Sequence, residues 1–151
     1  MAISVEMIIF AKQIFGTMIR ERIYQQMLKR GVNQTTLCND LCLQVSNFNA
    51  FIRGKRAMPF KDLVSVMKYL KLSVAPKGTE FTSTPPENIN EIFRNRIKQG
   101  GLKLVEVEAA SGINRTSISS IITGKHVTSS RNLGKLMQAL GLDIVSFKAS
   151  A

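Results

Sequence analysis

The chain has 151 residues, of which 44% are hydrophobic and 21% charged, so it is too apolar to be an intrinsically disordered chain. This length allows one medium domain or two very small ones. The 21 Lys and Arg residues against 10 Asp and Glu give a formal net charge of +11, which favours a polyanionic partner such as nucleic acid over an anionic membrane surface.

The N-terminal segment, residues 1–17, contains the most apolar stretch, ISVEMIIFAKQIF. It has no basic start and no small-residue cleavage pattern, and Glu6 and Lys12 interrupt it, so it fits neither a signal peptide nor a membrane span. We expect a strand or an amphipathic helix that packs on the rest of the chain or on a second copy. A second hypothesis takes Met18 as the natural start.

Residues 19–75 and 89–145 align with each other at an offset of 70 residues without a gap. Ten of the 57 aligned positions are identical, and apolar positions stay in register where the residues differ, as at Phe48 and Ile118. An internal repeat of this size predicts two tandem units.

The repeat and a Pro-, Ser- and Thr-rich stretch between its copies predict the domain boundaries. The predicted parts are an apolar segment at 1–17, a first domain at 18–72, a linker at 73–88 and a second domain at 89–147.

Each unit is predicted to hold four short helices, placed by apolar periodicity and by glycines that end helices. The predicted helices are 18–30, 34–41, 45–53 and 59–71 in the first unit and 88–99, 104–111, 115–123 and 129–140 in the second. Asn33 and Thr128 are the expected N-caps, and Pro59 suits a first helical position. Gly54 and Gly124 fall where a helix ends in a left-handed residue.

The second and third helices of each unit have helix-turn-helix spacing. In the second unit, VEAASGINRTSISSIITGK resembles the helix-turn-helix family of the phage repressor and Cro type. Gly112 stands at the turn glycine of that pattern, and Ile118 and Ser119 stand at its Ile-Ser pair.

The first unit carries the same resemblance through NQTTLC and FNAFIRGKR, with Gln34 at the Gln position of the pattern. It departs in the turn, where Cys42 replaces the glycine and Gln44 replaces the capping Ser.

The resemblance implies an all-α fold with two tandem four-helix units of the lambda-repressor-like type, to which short strands at the termini can be added. The six residues LDIVSF at 142–147 have the composition of such a strand. The family's usual fifth helix is absent from both units.

The resemblance also implies binding of double-stranded DNA and transcription regulation, with each third helix in the major groove. The candidate DNA-binding residues of the first unit are Gln34, Ser46, Asn47, Asn49, Arg53, Lys55 and Arg56. Those of the second unit are Asn114, Arg115, Thr116, Ser117, Ser120, Thr123 and Lys125.

Arg115 is the strongest candidate, because a guanidinium at the start of this helix can bond guanine bidentately or hold a phosphate. Asn side chains such as Asn49 pair with adenine in the same groove. Lys55, Arg56 and Lys125 follow the helices where a phosphate would lie. Because the two recognition faces differ, we expect an asymmetric or direct-repeat site, which a linker of about 16 residues can span.

Enzymatic, metal and cofactor functions are not expected. The chain has one histidine, His126, which we interpret as a surface loop residue or a phosphate contact, and it shows no recurring catalytic constellation. Two thiols without a nearby histidine make a poor zinc site, so Cys38 and Cys42 are interpreted as small apolar residues in a reducing cytoplasm. A bacterial or phage protein of cytoplasmic location fits these features.

The alternative is a protein-interaction module, an antitoxin-like or phage accessory protein in which one or both units no longer bind DNA. Its supports are the altered turn of the first unit and two segments suited to a homodimer contact, the apolar stretch at 3–15 and the strand-like 142–147.

Overall fold

A computed structural model of the chain describes residues 19–125 and 129–148. The expectations for the apolar segment 1–17, for Met18 as a start, for Thr128 as an N-cap and for His126 lie outside the described residues. Within the described ranges, every helix is too short or too polar to cross a lipid bilayer.

The structure is mostly helical, with a small sheet. In the first half, residues 19–76, the elements are α1 (which includes 19–30), α2 (Gln34–Leu41), α3 (Val45–Ile52), α4 (Phe60–Tyr69) and β1 (Leu72–Pro76). Strand β2 (Phe81–Thr82) and a 3-10 helix (Pro86–Asn88) follow. In the second half, residues 89–147, the elements are α5 (Ile89–Gln99), α6 (Leu104–Ser111), α7 (Arg115–Ile122), α8 (Ser130–Ala139) and β3 (Leu142–Phe147).

The helix ends follow the local chemistry of the sequence. The Asn33 side chain accepts a hydrogen bond from the Thr36 amide at 2.8 Å, which confirms the predicted cap of α2. Gly54 and Gly124 have φ of +77° and +85°, which confirms their left-handed conformation. Pro59 precedes α4, which begins at Phe60, so the prediction that proline is the first helical residue was wrong by one position.

Apolar stripes on the helices meet in one continuous core. On α1, Ile19, Ile23 and Met27 are buried at the spacing of four residues that places side chains on one helix face. Phe48 of α3 and Phe93 of α5 are among the largest fully buried side chains. Because this core includes residues of both halves, the halves do not pack as separate bodies.

The sheet has the strand order β1-β3-β2, with β3 antiparallel to β1 and parallel to β2. The strand expected at 142–147 is therefore present, but it pairs with β1 of the same chain instead of lying free for a dimer contact. The expectation of an all-α fold was incomplete. The reason is that Ser73, Val74 and Ala75 are buried in a strand, although they lie in the segment 73–88 whose Pro, Ser and Thr content indicated a linker.

A second contact joins the halves away from the sheet. Pro59 and Ser129 form an antiparallel β-bridge, and the Ser130 amide donates to the Met58 carbonyl at 2.8 Å. The Met58 amide in turn donates to the Ser130 hydroxyl at 2.9 Å, which satisfies this buried side chain. The sheet and the bridge together fix how the two halves lie, so the extended linker expected from the sequence does not set their separation.

Candidate nucleic-acid interface

The turn between α2 and α3 has nearly the same backbone as the turn between α6 and α7. Cys42 ends α2 with φ +58° and ψ +40°, and Gly112 ends α6 with φ +74° and ψ +12°. The left-handed conformation suits glycine and is costly for a residue with a Cβ atom. Both turns therefore contain a left-handed residue at the same position of the repeat, although only the second turn has a glycine there.

The starts of α3 and α7 differ in their capping. The Asn114 side chain accepts a hydrogen bond from the Ser117 amide at 2.8 Å, which satisfies one free donor of α7. Gln44 stands before α3 without a side-chain cap, and its Oε1 instead accepts from Asn47 Nδ2 at 2.9 Å. The side chain of Asn114, a candidate DNA-binding residue, is thus engaged in capping, whereas the candidate Ser117 contributes only its backbone amide.

The outer face of α7 lies over a buried apolar face. Ile118 and Ile121 are fully buried, which turns the polar residues of the helix away from the core. A shallow groove on this outer side is lined by five candidate residues, Arg115, Thr116, Ser120, Thr123 and Lys125. The structure therefore brings most of the second-half candidates to one surface.

Arg115 begins α7 and has a carboxylate beside it. Its amide donates to Glu108 Oε2 at 2.7 Å, and its Nε lies 3.7 Å from the same oxygen. The side chains are 64% and 36% exposed, so this ion pair lies in water and contributes little stability. The guanidinium keeps donors free for another acceptor.

Two hydroxyls on α7 donate to the preceding turn of the helix. Ser120 Oγ donates to the Thr116 carbonyl at 3.0 Å, and Thr123 Oγ1 donates to the Ser119 carbonyl at 2.7 Å. A hydroxyl that donates in this way still has lone pairs to accept a hydrogen bond. In this rotamer the face offers acceptors beside the donors of Arg115 and Lys125.

A corresponding groove in the first half lies between α1, α2 and α3. Gln34, Asn49 and Arg53 line it, and Asn49 Nδ2 donates to Gln34 Oε1 at 3.1 Å. Arg20 of α1 lines the same groove and donates through Nη1 to the Ile52 carbonyl at 3.3 Å. Its buried Nε has no protein acceptor. Sequence reasoning missed Arg20, because only the packing of α1 on α3 brings it to this surface.

A further depression joins α3 to the loop that follows it. Asn47 and Arg56 line it together with Pro59, and Arg56 Nη1 donates to Asn47 Oδ1 at 2.8 Å. Ser46 and Lys55 are exposed but line none of these three surfaces. The seven first-half candidates are thus divided between two depressions and open surface.

Two pairs of basic residues flank the bridge between the halves. Lys55 and Lys125 precede it, and Lys61 and Arg131 follow it on α4 and α8; all four are exposed. In the repeat alignment these are the only two positions that are basic in both copies. Sequence reasoning missed Lys61 and Arg131, although the matching of charge between the copies was a signal that could have found them.

The two cysteines lie in different environments. Cys38 is buried in the core, and burial raises the pKa of its thiol. Cys42 is exposed at the turn, and both cysteines are free thiols. No group of three or more His, Cys, Asp or Glu side chains within the described ranges could hold a metal ion.

Comparison with known proteins supports a helix-turn-helix domain in the second half. Residues 93–147 match the family model described as helix-turn-helix, and the match does not extend over the first half. No curated protein and no solved structure matches the chain. The matched segment runs from α5 to β3, so it includes the α6-turn-α7 unit and the groove beside Arg115. It indicates DNA binding and transcription regulation as the class of function.

Proposed function

We propose that the chain binds double-stranded DNA in a sequence-dependent manner and regulates transcription, with α7 as a recognition helix and α3 as a second one. The observation that carries the proposal is the family match of residues 93–147, which covers the α6-turn-α7 unit and its polar outer face. The formal charge of +11 supplies the attraction for phosphates that such binding needs.

The outer face of α7 suits base contacts at its start and phosphate contacts at its end. Arg115 and Thr116 stand in the first turn, which is the part of a recognition helix that meets base edges. Lys125 stands beyond the end of the helix and suits a backbone phosphate. In the first half, Ser46, Asn47 and Asn49 take the corresponding positions on α3.

The proposal includes a helix-turn-helix unit in the first half, which is supported by local geometry. Cys42 takes up the same left-handed turn as Gly112, and Phe48 is buried as Ile118 is. Gln34 at the start of α2 and Arg53 at the end of α3 suit phosphates on either side of a groove.

The first experiment measures binding to duplex DNA as salt is varied. We expect selection from a pool of random duplexes to yield a preferred site whose affinity falls steeply with salt, with a log-log slope of about −0.9 for each phosphate contacted. A folded protein that binds no duplex at low salt would contradict the proposal.

The second experiment separates base contacts from phosphate contacts. Arg115→Ala is expected to relax the preference at one or two base pairs, at a cost of about 1–3 kcal/mol for the preferred site. Lys125→Ala is expected to weaken all duplexes alike and to reduce the salt slope by about 1. Lys77→Ala, which removes the same charge from the turn after β1, is the matched control for Lys125→Ala and should leave both the affinity and the salt slope nearly unchanged.

A protein-interaction module is the second candidate function, and one observation favours it. Tyr24 and Leu28 are 42% and 66% exposed on α1 and stand four residues apart, so they form a small apolar stripe. Absence of duplex binding, together with loss of a captured protein partner in the Leu28→Lys variant, would favour this function over DNA binding.

A further inference from the structure

We infer that the two halves contact DNA as a covalent pseudo-dimer, so that the preferred site is an inverted pair of two different half-sites. This inference rests on the proposed function. Of the two sites expected from the sequence, asymmetric or direct-repeat, it keeps the asymmetry and replaces the direct order by an inverted one, and it follows from how the two halves are joined.

The first observation is the register of the sheet. Val74 pairs with Ile144, and these two residues are counterparts in the repeat because their numbers differ by 70. The other pairs are Leu72 with Ser146, Ser73 with Val145, Ala75 with Asp143 and Pro76 with Leu142. Leu72, two residues before Val74, therefore pairs with the counterpart of Pro76, which stands two residues after Val74. The same holds for Ser73 and Ala75, which stand one residue before and one residue after Val74. A local twofold axis passes between Val74 and Ile144.

The hydrogen bonds at the two ends of the β1–β3 ladder are related by the same twofold symmetry. The Phe147 amide donates to the Lys71 carbonyl at 2.8 Å, and the Lys77 amide donates to the Gly141 carbonyl at 3.0 Å. Adding 70 to Lys71 gives Gly141, and adding 70 to Lys77 gives Phe147. The two bonds are thus one contact seen from each half, as in the interface of a symmetric dimer.

A second and separate contact also joins counterpart residues. Pro59 and Ser129 are also counterparts, and they too form an antiparallel contact. A single twofold axis that relates the two halves must pass through both contacts, so we infer that it runs from the sheet to this bridge. Pro59 lines one depression with Asn47 of α3, so the bridge end of the axis lies beside the first candidate recognition helix.

A twofold rotation has a definite consequence for the recognition helices. It leaves directions along its axis unchanged and reverses directions across it, so α3 and α7 face the same side but run in opposite senses across that side. The two strands of B-DNA are related by twofold axes of the same kind. Half-sites in inverted order therefore present equivalent edges to the two helices, as in dimeric helix-turn-helix complexes, whereas a direct repeat presents one half-site backwards.

The distribution of charge agrees with DNA at the bridge end of the axis. The two positions that are basic in both copies, Lys55 with Lys125 and Lys61 with Arg131, lie within four residues of the bridge on either side. Positive charges elsewhere in the repeat are not matched between the copies. A duplex centred on the axis would meet these four exposed cations in two equivalent pairs.

The half-sites should nevertheless differ in base sequence. The outer face of α3 has Asn47, Asn49 and Arg53 where α7 has Ser117, Ser119 and Thr123. Amide and guanidinium groups prefer different base edges from hydroxyl groups. The site is therefore expected to be a palindrome in geometry but not in sequence.

The test uses the full chain and the site selected from random duplexes. The selected site is divided into its two half-sites. These are joined in inverted order or in direct order, each at the selected spacing and with half a helical turn added. Duplexes with a single half-site are also prepared. We expect the inverted duplex at the selected spacing to bind on the order of 100-fold more tightly than the direct duplex, because only the inverted order engages both halves at once.

Equal or tighter binding of the direct duplex would overturn the inference and leave the proposed function intact. Failure to bind any duplex at low salt would contradict the proposed function itself. A selected site that contains a single half-site would also overturn the inference.

A transplant of the recognition face gives an independent readout. Six changes, Arg115→Val, Thr116→Ser, Ser117→Asn, Ser119→Asn, Ser120→Ala and Thr123→Arg, copy the outer face of α3 onto α7. This variant is expected to shift its preference from the mixed inverted site to a true palindrome of the first half-site. An unchanged preference in the folded variant would overturn the inference.

The reciprocal transplant keeps the test decisive if the first variant does not fold. It comprises Val45→Arg, Ser46→Thr, Asn47→Ser, Asn49→Ser, Ala50→Ser and Arg53→Thr, and it should favour a palindrome of the second half-site. Circular dichroism and thermal melting identify which of the two variants is folded.

Discussion

The turns before α3 and α7 reach one backbone geometry by different chemistry. In the second half, a glycine adopts the left-handed conformation and Asn114 caps the following helix. In the first half, Cys42 adopts that conformation with a Cβ atom present, and Gln44 makes no cap. Local preferences therefore support the turn in the second half, whereas core packing must hold it in the first.

The packing of α3 is where the first half should be most sensitive. Phe48 is 2% exposed, and its ring centroid lies 6.2 Å from that of Phe51. Phe48→Ala is expected to lower the free energy of unfolding by about 3–5 kcal/mol, because it leaves a large cavity and removes an aromatic contact. Urea denaturation measures the change. The matched variant Ile118→Ala should cost less, and a larger cost for Ile118→Ala would contradict the comparison.

Loss of a helix cap should destabilise the second half more than the first, which is the reverse of the order expected for core packing. Asn114→Ala removes the hydrogen bond to the Ser117 amide and is expected to destabilise the protein by about 1 kcal/mol. Gln44→Ala, at the corresponding position, should change stability by less than about 0.5 kcal/mol because no cap is lost. Thermal melting of both variants checks this, and equal losses would show that Gln44 supports α3 in another way.

The turn residues can be exchanged to test the strain directly. Gly112→Ala is expected to destabilise by about 1 kcal/mol, and the cost is purely conformational since a Cβ atom there would meet no other atom within 4 Å. Cys42→Gly should stabilise the first half by a smaller amount, because relief of strain is partly offset by the flexibility of glycine in the unfolded chain. A destabilised Cys42→Gly variant would mean that the thiol makes a contribution of its own.

The exposed thiol of Cys42 and the buried thiol of Cys38 should also differ in their rates of chemical modification. A thiol reagent at neutral pH should modify Cys42 quickly and Cys38 only when the protein opens, because the core excludes the reagent and burial raises the pKa of the Cys38 thiol. With a reagent that releases a chromophore on reaction, the absorbance should rise in two phases, a fast one from Cys42 and a slow one from Cys38. Cys42→Ser should remove the fast phase, and its persistence would place Cys38 at the surface.

The helices could be predicted from the sequence because local signals specify them. Asn33 as a cap, Gly54 and Gly124 as helix ends, and the stripe of Ile19, Ile23 and Met27 all concern residues within a few positions of each other. The polar face of α7 could be predicted for the same reason, since burial of Ile118 determines which residues of the helix point outward.

The sheet could not be predicted in the same way. Its pairing joins Val74 to Ile144, and nothing near Val74 specifies a partner that is 70 residues away. The place of Arg20 beside α3 and the grouping of Lys61 with Arg131 depend equally on packing between distant segments. The contribution of the repeat was indirect, because it identified which residues correspond but not that they would touch.

The pairing of β1 with β3 has a consequence for how the chain is made. Val74 leaves the ribosome about 70 residues before Ile144, which is roughly 4–14 s at ordinary rates of synthesis. During that interval a short apolar strand has no partner and is open to pairing with other nascent chains. Lys71, Pro76 and Lys77, all exposed, border this strand on both sides. Charged residues and proline at strand ends discourage aggregation, so these three residues are suited to protect β1 until its partner is synthesised.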